Sequence, residues 1–376
     1  MKRNILIALL GLFLVACGDV QPTETLSGLQ RENFVTEIGG KTTDLYVLHN
    51  ANGMEVCFTN HGARIVSIMV PDRDGIMRDV VLGFDAIDGY VEKATDFGAI
   101  VGRYANRIDR GRITLDGEEY QLPCNNYGHC LHGGPNGFQT QVFDVESVTD
   151  TTIVMTYLAA DGEEGFPGNL LCRIAYTLTY DNAVAIDFSA TTDKTTVVNL
   201  ANHAYFNLDG DASKSNADYI FHINASGYTP VDSTLMTNGE ILAVEGTPMD
   251  FRTPTAVGAR INDADEQLQY GLGYDHNWVL DTQGDMAQVA ARLVSPASGI
   301  VLEVYTDQPG LQVYSGNFLD GSVIGKGGVP CNYRSAVVLE TQKYPNSPNF
   351  AHWPSPVLRA GETYKATCAY KFSVEQ

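Results

Sequence analysis

The sequence predicts an all-β protein: a large antiparallel β-sandwich with few short helices. Three observations carry this. Short strand-like runs separated by tight turns recur from residue 33 onward. The composition is rich in strand and turn formers, with 19 Tyr and 37 Gly among 376 residues. Helical periodicity is scarce. Many antiparallel strands with no Pro- or Ser-rich linker between them favour one sandwich domain. A β-propeller would show a blade repeat of about 40–50 residues, and the chain shows none.

The first element is not part of that domain. Lys2 and Arg3 precede an apolar run from Ile5 to Ala16, and Cys17 follows. The run is too short for a mature membrane span and reads as a signal peptide over residues 1–16. Leu14-Val15-Ala16-Cys17 resembles a bacterial lipobox, in which the cysteine is lipidated and becomes the new N-terminus; simple cleavage near Ala16 is the other reading. Residues 17–32 then read as a lipidated Cys17 and a polar tether. Both readings export the chain. With a lipid on Cys17 it is anchored to a membrane and most simply faces the periplasm.

Residues 33–376 follow as one domain. Residues 43–60, TDLYVLHNANGMEVCFTN, read as strand, turn, strand. Residues 85–93, DAIDGYVEK, and 262–269, NDADEQLQ, each offer a short helix. RITLDGEEYQL (112–122) is a hairpin on Asp116-Gly117, a dipeptide that accepts positive φ at low cost. RIAYTLTYDNAVAIDFSA (173–190) is another on Asp181-Asn182, and residues 291–306 repeat the design around Ser298-Gly299. Six cysteines remain after Cys17: Cys57, Cys124, Cys130, Cys172, Cys331 and Cys368. Their spacing is no disulfide framework, and a domain of this size needs no staples. Only Cys124 and Cys130 are close enough to invite a bridge.

Charge narrows the partners. The chain carries 24 basic and 45 acidic residues, a formal −21; loss of Lys2 and Arg3 leaves 22 against 45, or −23. Nucleic-acid binding needs clustered Lys and Arg, so no nucleic-acid partner is expected. Several cofactor chemistries are also absent. Gly325-Lys326-Gly327-Gly328 lacks the Ser or Thr of a Walker loop. No Rossmann fingerprint or GxSxG elbow occurs, and PDRDGIMRD (71–79) misses the EF-hand spacing. CNNYGHCLHGG (124–134) gathers Cys124, His129, Cys130 and His132 without a zinc spacing or a second ligand pair.

What remains is a scattered polar set in β-prone sequence: Asn106, Arg107, His132, His203, Asp275, His276, Gln312 and Glu340. Singly, each is most simply a locally satisfied polar group. Glu340 fits that reading least, because the apolar Ala336-Val337-Val338-Leu339 run leading into it reads as a buried strand. His203 poses a similar question within VNLANHAYFNL (198–208). Together they form a kit for proton transfer: an imidazole that can hold or give a proton near neutrality, a carboxylate that can take one, and groups that grip neutral hydroxyls. Trp278 and the tyrosines can offer flat faces to a sugar ring. The kit contains no obvious nucleophile.

Nine motifs carry a resemblance: FGAIVGRYANRI, LHGG, DGEEGFPGNL, NHAYFNL, GYDHNWVL, PGLQVYSGNFL, GKGG, LETQKYPNSPN and PSPVLRAGETY. In this order, over nearly the whole of residues 33–373, the chain resembles the aldose 1-epimerase (galactose mutarotase) family. The resemblance implies the family's large β-sandwich and interconversion of the anomers of a free aldose, with no cofactor and no metal. It implies His203 as general acid to the ring oxygen and Glu340 as general base to the C1 hydroxyl. Asn106, Arg107, His132, Asp275 and Gln312 match residues that hold sugar oxygens, and Tyr205 stands where the family often has an aromatic. Gln139-Thr140 and Phe143 depart from the Lys and Trp common there. A monomer or a homodimer is expected. Three rivals share part of the kit: an epimerase of hexose 6-phosphates, a non-catalytic carbohydrate-binding lipoprotein, and a lyase or hydrolase on a similar sandwich.

Overall fold

Burial along the strands sorts them into layers. In Leu170–Leu178 and Thr363–Val374 inward and outward residues alternate, the mark of a sheet with one wet face. Val337–Gln342 and Gly310–Tyr314 are buried on both faces and lie inside. These assignments come from a computed structural model of the chain, which describes residues 25–93 and 95–375. The signal-peptide and Cys17 readings lie outside the described residues.

Nine antiparallel strands form the outer sheet. In spatial order they are Asp144–Val148, Thr152–Ala159, Leu170–Leu178, Ala183–Thr192, Thr363–Val374, Ile300–Thr306, Ala291–Val294, Ile220–Ile223 and Thr255–Ala256. A six-stranded inner sheet runs Tyr205–Phe206, Val337–Gln342, Gly310–Tyr314, Asp275–Leu280, Ala225–Thr229, Leu242–Ala243. A four-stranded sheet from Leu45–His49 to Met77–Asp79 extends the inner layer. One hydrophobic cluster joins the layers, with Ile174, Ile186 and Tyr370 from the outer sheet against Phe58, Leu311 and Leu339. The Tyr370 hydroxyl donates to the Leu339 carbonyl at 2.8 Å, so the sheets are pinned as well as packed. The predicted sandwich is thus the observed one, with two short α-helices: Ile87–Glu92 lies inside its predicted segment, and Glu266–Gly271 overlaps the other and runs two residues past its end.

Local turn chemistry delivers the predicted hairpins. Asp116 and Gly117 both take positive φ, +50° and +86°, between Arg112–Leu115 and Glu118–Gln121. Asn182, at φ +64°, turns Leu170–Leu178 into Ala183–Thr192. The packed body starts earlier than residue 33. Leu29 is buried beside Phe34, Leu45 and Val47, and the Leu26 amide donates to the buried Glu55 carboxylate at 2.8 Å. A tether running to residue 32 is therefore too long by at least the stretch from Thr25, which Leu29, the Leu26 amide and the Arg31–Asp44 ion pair join to the body. All six cysteines of the domain are free thiols, so Cys124 and Cys130 are not bridged.

Register in the inner sheet places the polar residues. Asn277, Gln312 and Glu340 are direct partners across three strands, and Asp275 pairs with Tyr314. Side chains alternate along a strand, so these residues share the face turned away from the main core. Trp278 lies on the opposite face. It is fully buried in the core, and its indole N–H donates to the Met249 carbonyl at 3.0 Å. The expectation that Trp278 offers a face to a sugar is corrected: it lies three positions from Asp275 along the strand, an odd step that turns it to the other face.

Candidate active site

Seven of the eight residues singled out for acid, base and sugar contacts line one cavity of about 330 Å³: Asn106, Arg107, His132, His203, Tyr205, Asp275 and Glu340. That is the small end of ligand-pocket sizes, roughly 300–1,000 Å³. Gln312 stands behind the wall and donates from Nε2 to Asp275 Oδ1 at 2.7 Å. A larger cleft of about 760 Å³ lies elsewhere, but its cations are paired: Lys326 with Asp79 at 2.5 Å and Arg78 with Asp72 at 2.9 Å. The GKGG motif therefore serves the fold through Lys326, which also donates to the Val66 carbonyl.

His203 sits where two short strands, Ala201–Asn202 and Tyr205–Phe206, meet. Its amide donates to Ala99 O at 2.8 Å, and its carbonyl accepts from Gly98 N at 3.0 Å. Gly98 makes this approach possible: it has φ +69°, and a Cβ there would lie 1.9 Å from the Ile65 carbonyl oxygen. The neighbouring Asn202 behaves as a structural residue. Its Nδ2 donates to Gly98 O at 2.9 Å, and its Oδ1 accepts from Ala204 N at 3.1 Å. The His203 ring is different. Nδ1 has no hydrogen-bond partner among the described residues, and Nε2 lies 3.7 Å from Glu340 Oε1. Tyr205 lies 5.1 Å away, ring to ring.

Glu340 comes from the middle of the buried strand Val337–Gln342. Its Oε2 also lacks a partner among the described residues. Burial pushes its carboxyl up to about 7; His203 and Arg107 pull against this, while Asp275 and Asp96 add to it. Asp275 is likewise raised by burial, opposed by Arg107 and the Gln312 bond. Arg107 is 6% exposed, and burial lowers its proton affinity against the fields of Asp275 and Glu340. Its Nε donates to Asn126 Oδ1 at 3.0 Å, which aims the guanidinium.

His132 is neutral, its proton affinity held far below the ordinary imidazole value by burial, then by His203 and Arg107. The Asn106 amide donates to its Nδ1 at 3.1 Å, so Nε2 carries the ring hydrogen. His132 and Asn106 both take positive φ, +52° and +67°, strain of the kind that collects at functional sites. The tautomer bears on metal. Asp96, His132 and His203 have ligand atoms within 4.8 Å of one another. Yet Nε2–H leaves His132 no lone pair toward the cavity, so the trio does not suit a cation. The Cys124–His132 segment does not converge either. His129 accepts from Arg110 N at 3.0 Å and meets Thr234 at 2.9 Å, and Cys130 packs in an apolar cluster with Ile108 and Ile113.

Sequence reasoning missed several wall residues: Asp96, Asn126, Tyr127, Tyr314 and Phe318. Tyr314 and Phe318 stack at 5.8 Å, and Phe318 is exposed, so the flat face lost with Trp278 is found here. A two-residue step from Gln312 could have pointed to Tyr314; nothing local marks Asp96. The cavity thus sets one carboxylate and one imidazole 3.7 Å apart, among fixed hydrogen-bonding groups. That is equipment for moving protons on adjacent oxygens.

Known proteins agree in sequence and in shape. The family model for aldose 1-epimerase matches residues 44–371. The galactose mutarotase of Mus musculus is 42% identical over 337 residues, 89% of this chain and 96% of that protein. The aldose 1-epimerase of Escherichia coli (strain K12) is 38% identical over 338 residues, 89% of this chain and 97% of its own. A solved GalM/aldose epimerase homologue from C. elegans superposes with a TM-score of 0.83 at 32% identity, over 89% of this chain and all of that one. The galactose 1-epimerase structure from Lactobacillus acidophilus gives 0.80 at 28%, over 91% and 97%. By these matches, nearly end to end over the sandwich, the chain belongs to the aldose 1-epimerase family.

Proposed function

We propose that the chain interconverts the α and β anomers of free aldoses such as glucose and galactose, as an isomerase. The observation that carries this is the Glu340–His203 pair, 3.7 Å apart and each with a free ring or carboxylate atom in one cavity. A hemiacetal carbon bears two oxygens, and each needs one proton moved. Glu340 takes the proton from the C1 hydroxyl while His203 gives one to the ring oxygen. The C1–O5 bond breaks and C1=O forms. After rotation about C1–C2 the aldehyde shows its other face. Glu340 then returns its proton to O1, His203 recovers its own from O5, and the ring closes as the other anomer. Arg107 and the His132 Nε2–H supply fixed donors for charge developing on oxygen.

Polarimetry on fresh α-D-glucose and α-D-galactose, with protein beginning at residue 18, tests this. Rapid relaxation to the anomeric equilibrium is expected; no acceleration on any common free aldose would overturn the reading. The pH profile adds a second check. The base must be ionised, and Glu340 is raised to about 7. So kcat/KM falls about tenfold per pH unit below about pH 7. A profile flat down to pH 5 would remove Glu340 from the base role.

We also infer that the chain is exported and lipid-anchored through Cys17. The support is the basic start, the apolar run and Leu14-Val15-Ala16-Cys17. In a bacterial host, wild type should incorporate labelled palmitate and sediment with membranes, and Cys17→Ser should do neither. Equal labelling of both would reject the anchor.

A further inference from the structure

Asp96 belongs to no motif, yet it stands on the cavity wall with a carboxylate oxygen within 4.8 Å of ring nitrogens of both His132 and His203. Its carboxylate makes no hydrogen bond or ion pair to another described residue. The backbone around it is fixed. Arg64 is 1% exposed, and its Nη1 donates to the carbonyls of Thr95 and Phe97 at 3.2 and 2.9 Å. Its Nη2 donates to Gln139 O at 2.6 Å, and the Asp96 carbonyl accepts from Ala99 N at 3.0 Å. A fully buried guanidinium thus holds the carbonyls on either side of Asp96 and spends none of its hydrogen bonds on the side chain. The loop is pinned, and the Asp96 carboxylate, whose field reaches Arg64, stays free of hydrogen bonds to it and lines the cavity. A merely solvated loop carboxylate requires no such support.

The charges around the ligand space make the consequence plain. Three carboxylates line it, Asp96, Asp275 and Glu340, against the Arg107 guanidinium, the neutral His132 and His203, which carries the proton that the mechanism moves. Asp275 is engaged by Gln312, and Arg107 Nε is held by Asn126. Arg64 is not on the wall. Among the described residues, Asp96 is therefore the lining carboxylate that is neither the base nor hydrogen-bonded to a neighbour. We propose that Asp96 is a specificity-determining residue: set beside the two imidazoles, its charge confines the site to neutral aldoses and rejects sugars bearing a carboxylate or phosphate. This deepens the epimerase reading and rests on it.

The test compares α-D-galactose with α-D-galacturonate, which differ in a neutral or anionic C6, by polarimetry at pH 8. Wild type should strongly prefer galactose. Asp96→Asn should narrow the ratio of the two kcat/KM values by about tenfold, the effect of removing one like charge at short range in a partly wet site. Asp96→Glu should keep the ratio near wild type. Added salt should narrow it in wild type more than in Asp96→Asn. Asp96→Ser serves the same comparison where the Asn variant folds poorly. A ratio unmoved by either neutral variant, with galactose still turned over, overturns the proposal alone. Wild type that accelerates galacturonate as well as galactose does the same. Wild type inert to every free aldose removes the epimerase reading and this inference with it.

Discussion

Glu340→Gln is expected to lose turnover by about 10²–10⁴, the usual worth of a positioned proton transfer, while becoming more stable at pH 8. The first effect follows because the amide keeps the shape but cannot accept the C1 proton. The second follows from linkage. The native carboxyl is raised from 4.5 to about 7 by burial, so between those values the native state binds more proton than the unfolded chain. Stability then falls as pH rises through that window, and above about pH 7 the whole penalty is present. The neutral amide removes a penalty on the order of 1–3 kcal/mol. Thermal melts of both proteins at pH 8 and pH 4.5 check this: the variant should melt higher at pH 8, and the difference should shrink at pH 4.5. A variant that melts below wild type at pH 8 would make Glu340 a structural residue of the sheet.

That trade explains why the site is legible in part. A carboxylate after four apolar residues conflicts with burial, and the conflict shows in the sequence at Ala336–Glu340. Hairpins are legible for another reason: Asp116-Gly117 and Asp181-Asn182 decide their turns locally. Trp278 was within reach of the same reasoning. It is three residues from Asp275 on one strand, so the period of two already puts it in the core. Tyr314 could be reached from Gln312 by an even step. Asp96 could not. Its place depends on Arg64, 32 positions earlier in the chain, and on Gln139, 43 positions later, folding to one point. Leu29 is similar: in polar sequence it packs against the distant Leu45 and Val47, beside the bond from the Leu26 amide to Glu55. Local chemistry is written in adjacent residues; the rest is set by long-range closure of the sandwich.

His203→Asn and Asn202→Ala, made side by side, should separate chemistry from support within two adjacent residues. Both side chains are buried, and sequence alone treats the pair as one polar interruption of a strand. Asn202 closes three hydrogen bonds: Nδ2 donates to Gly98 O and, at 3.5 Å, to the Tyr176 hydroxyl, and Oδ1 accepts from Ala204 N. Its truncation leaves the buried Ala204 amide unpaired, while Gly98 O keeps the Ile65 amide as a donor, a cost of about 1–3 kcal/mol. The protein should melt several degrees lower and keep most of its activity per folded molecule. Among the described residues the His203 ring closes no hydrogen bond: Nδ1 has no partner there, and Nε2 is 3.7 Å from Glu340. Asparagine can still donate a hydrogen bond there, but it has no proton to release to the ring oxygen. His203→Asn should therefore melt near wild type, lose kcat by about 10²–10⁴, and change KM little. The opposite pattern, with His203→Asn unstable and active and Asn202→Ala stable and inactive, would place the proton donor elsewhere in the cavity. His132 would not take its place readily, because its Nδ1 is committed to Asn106 and burial keeps it neutral.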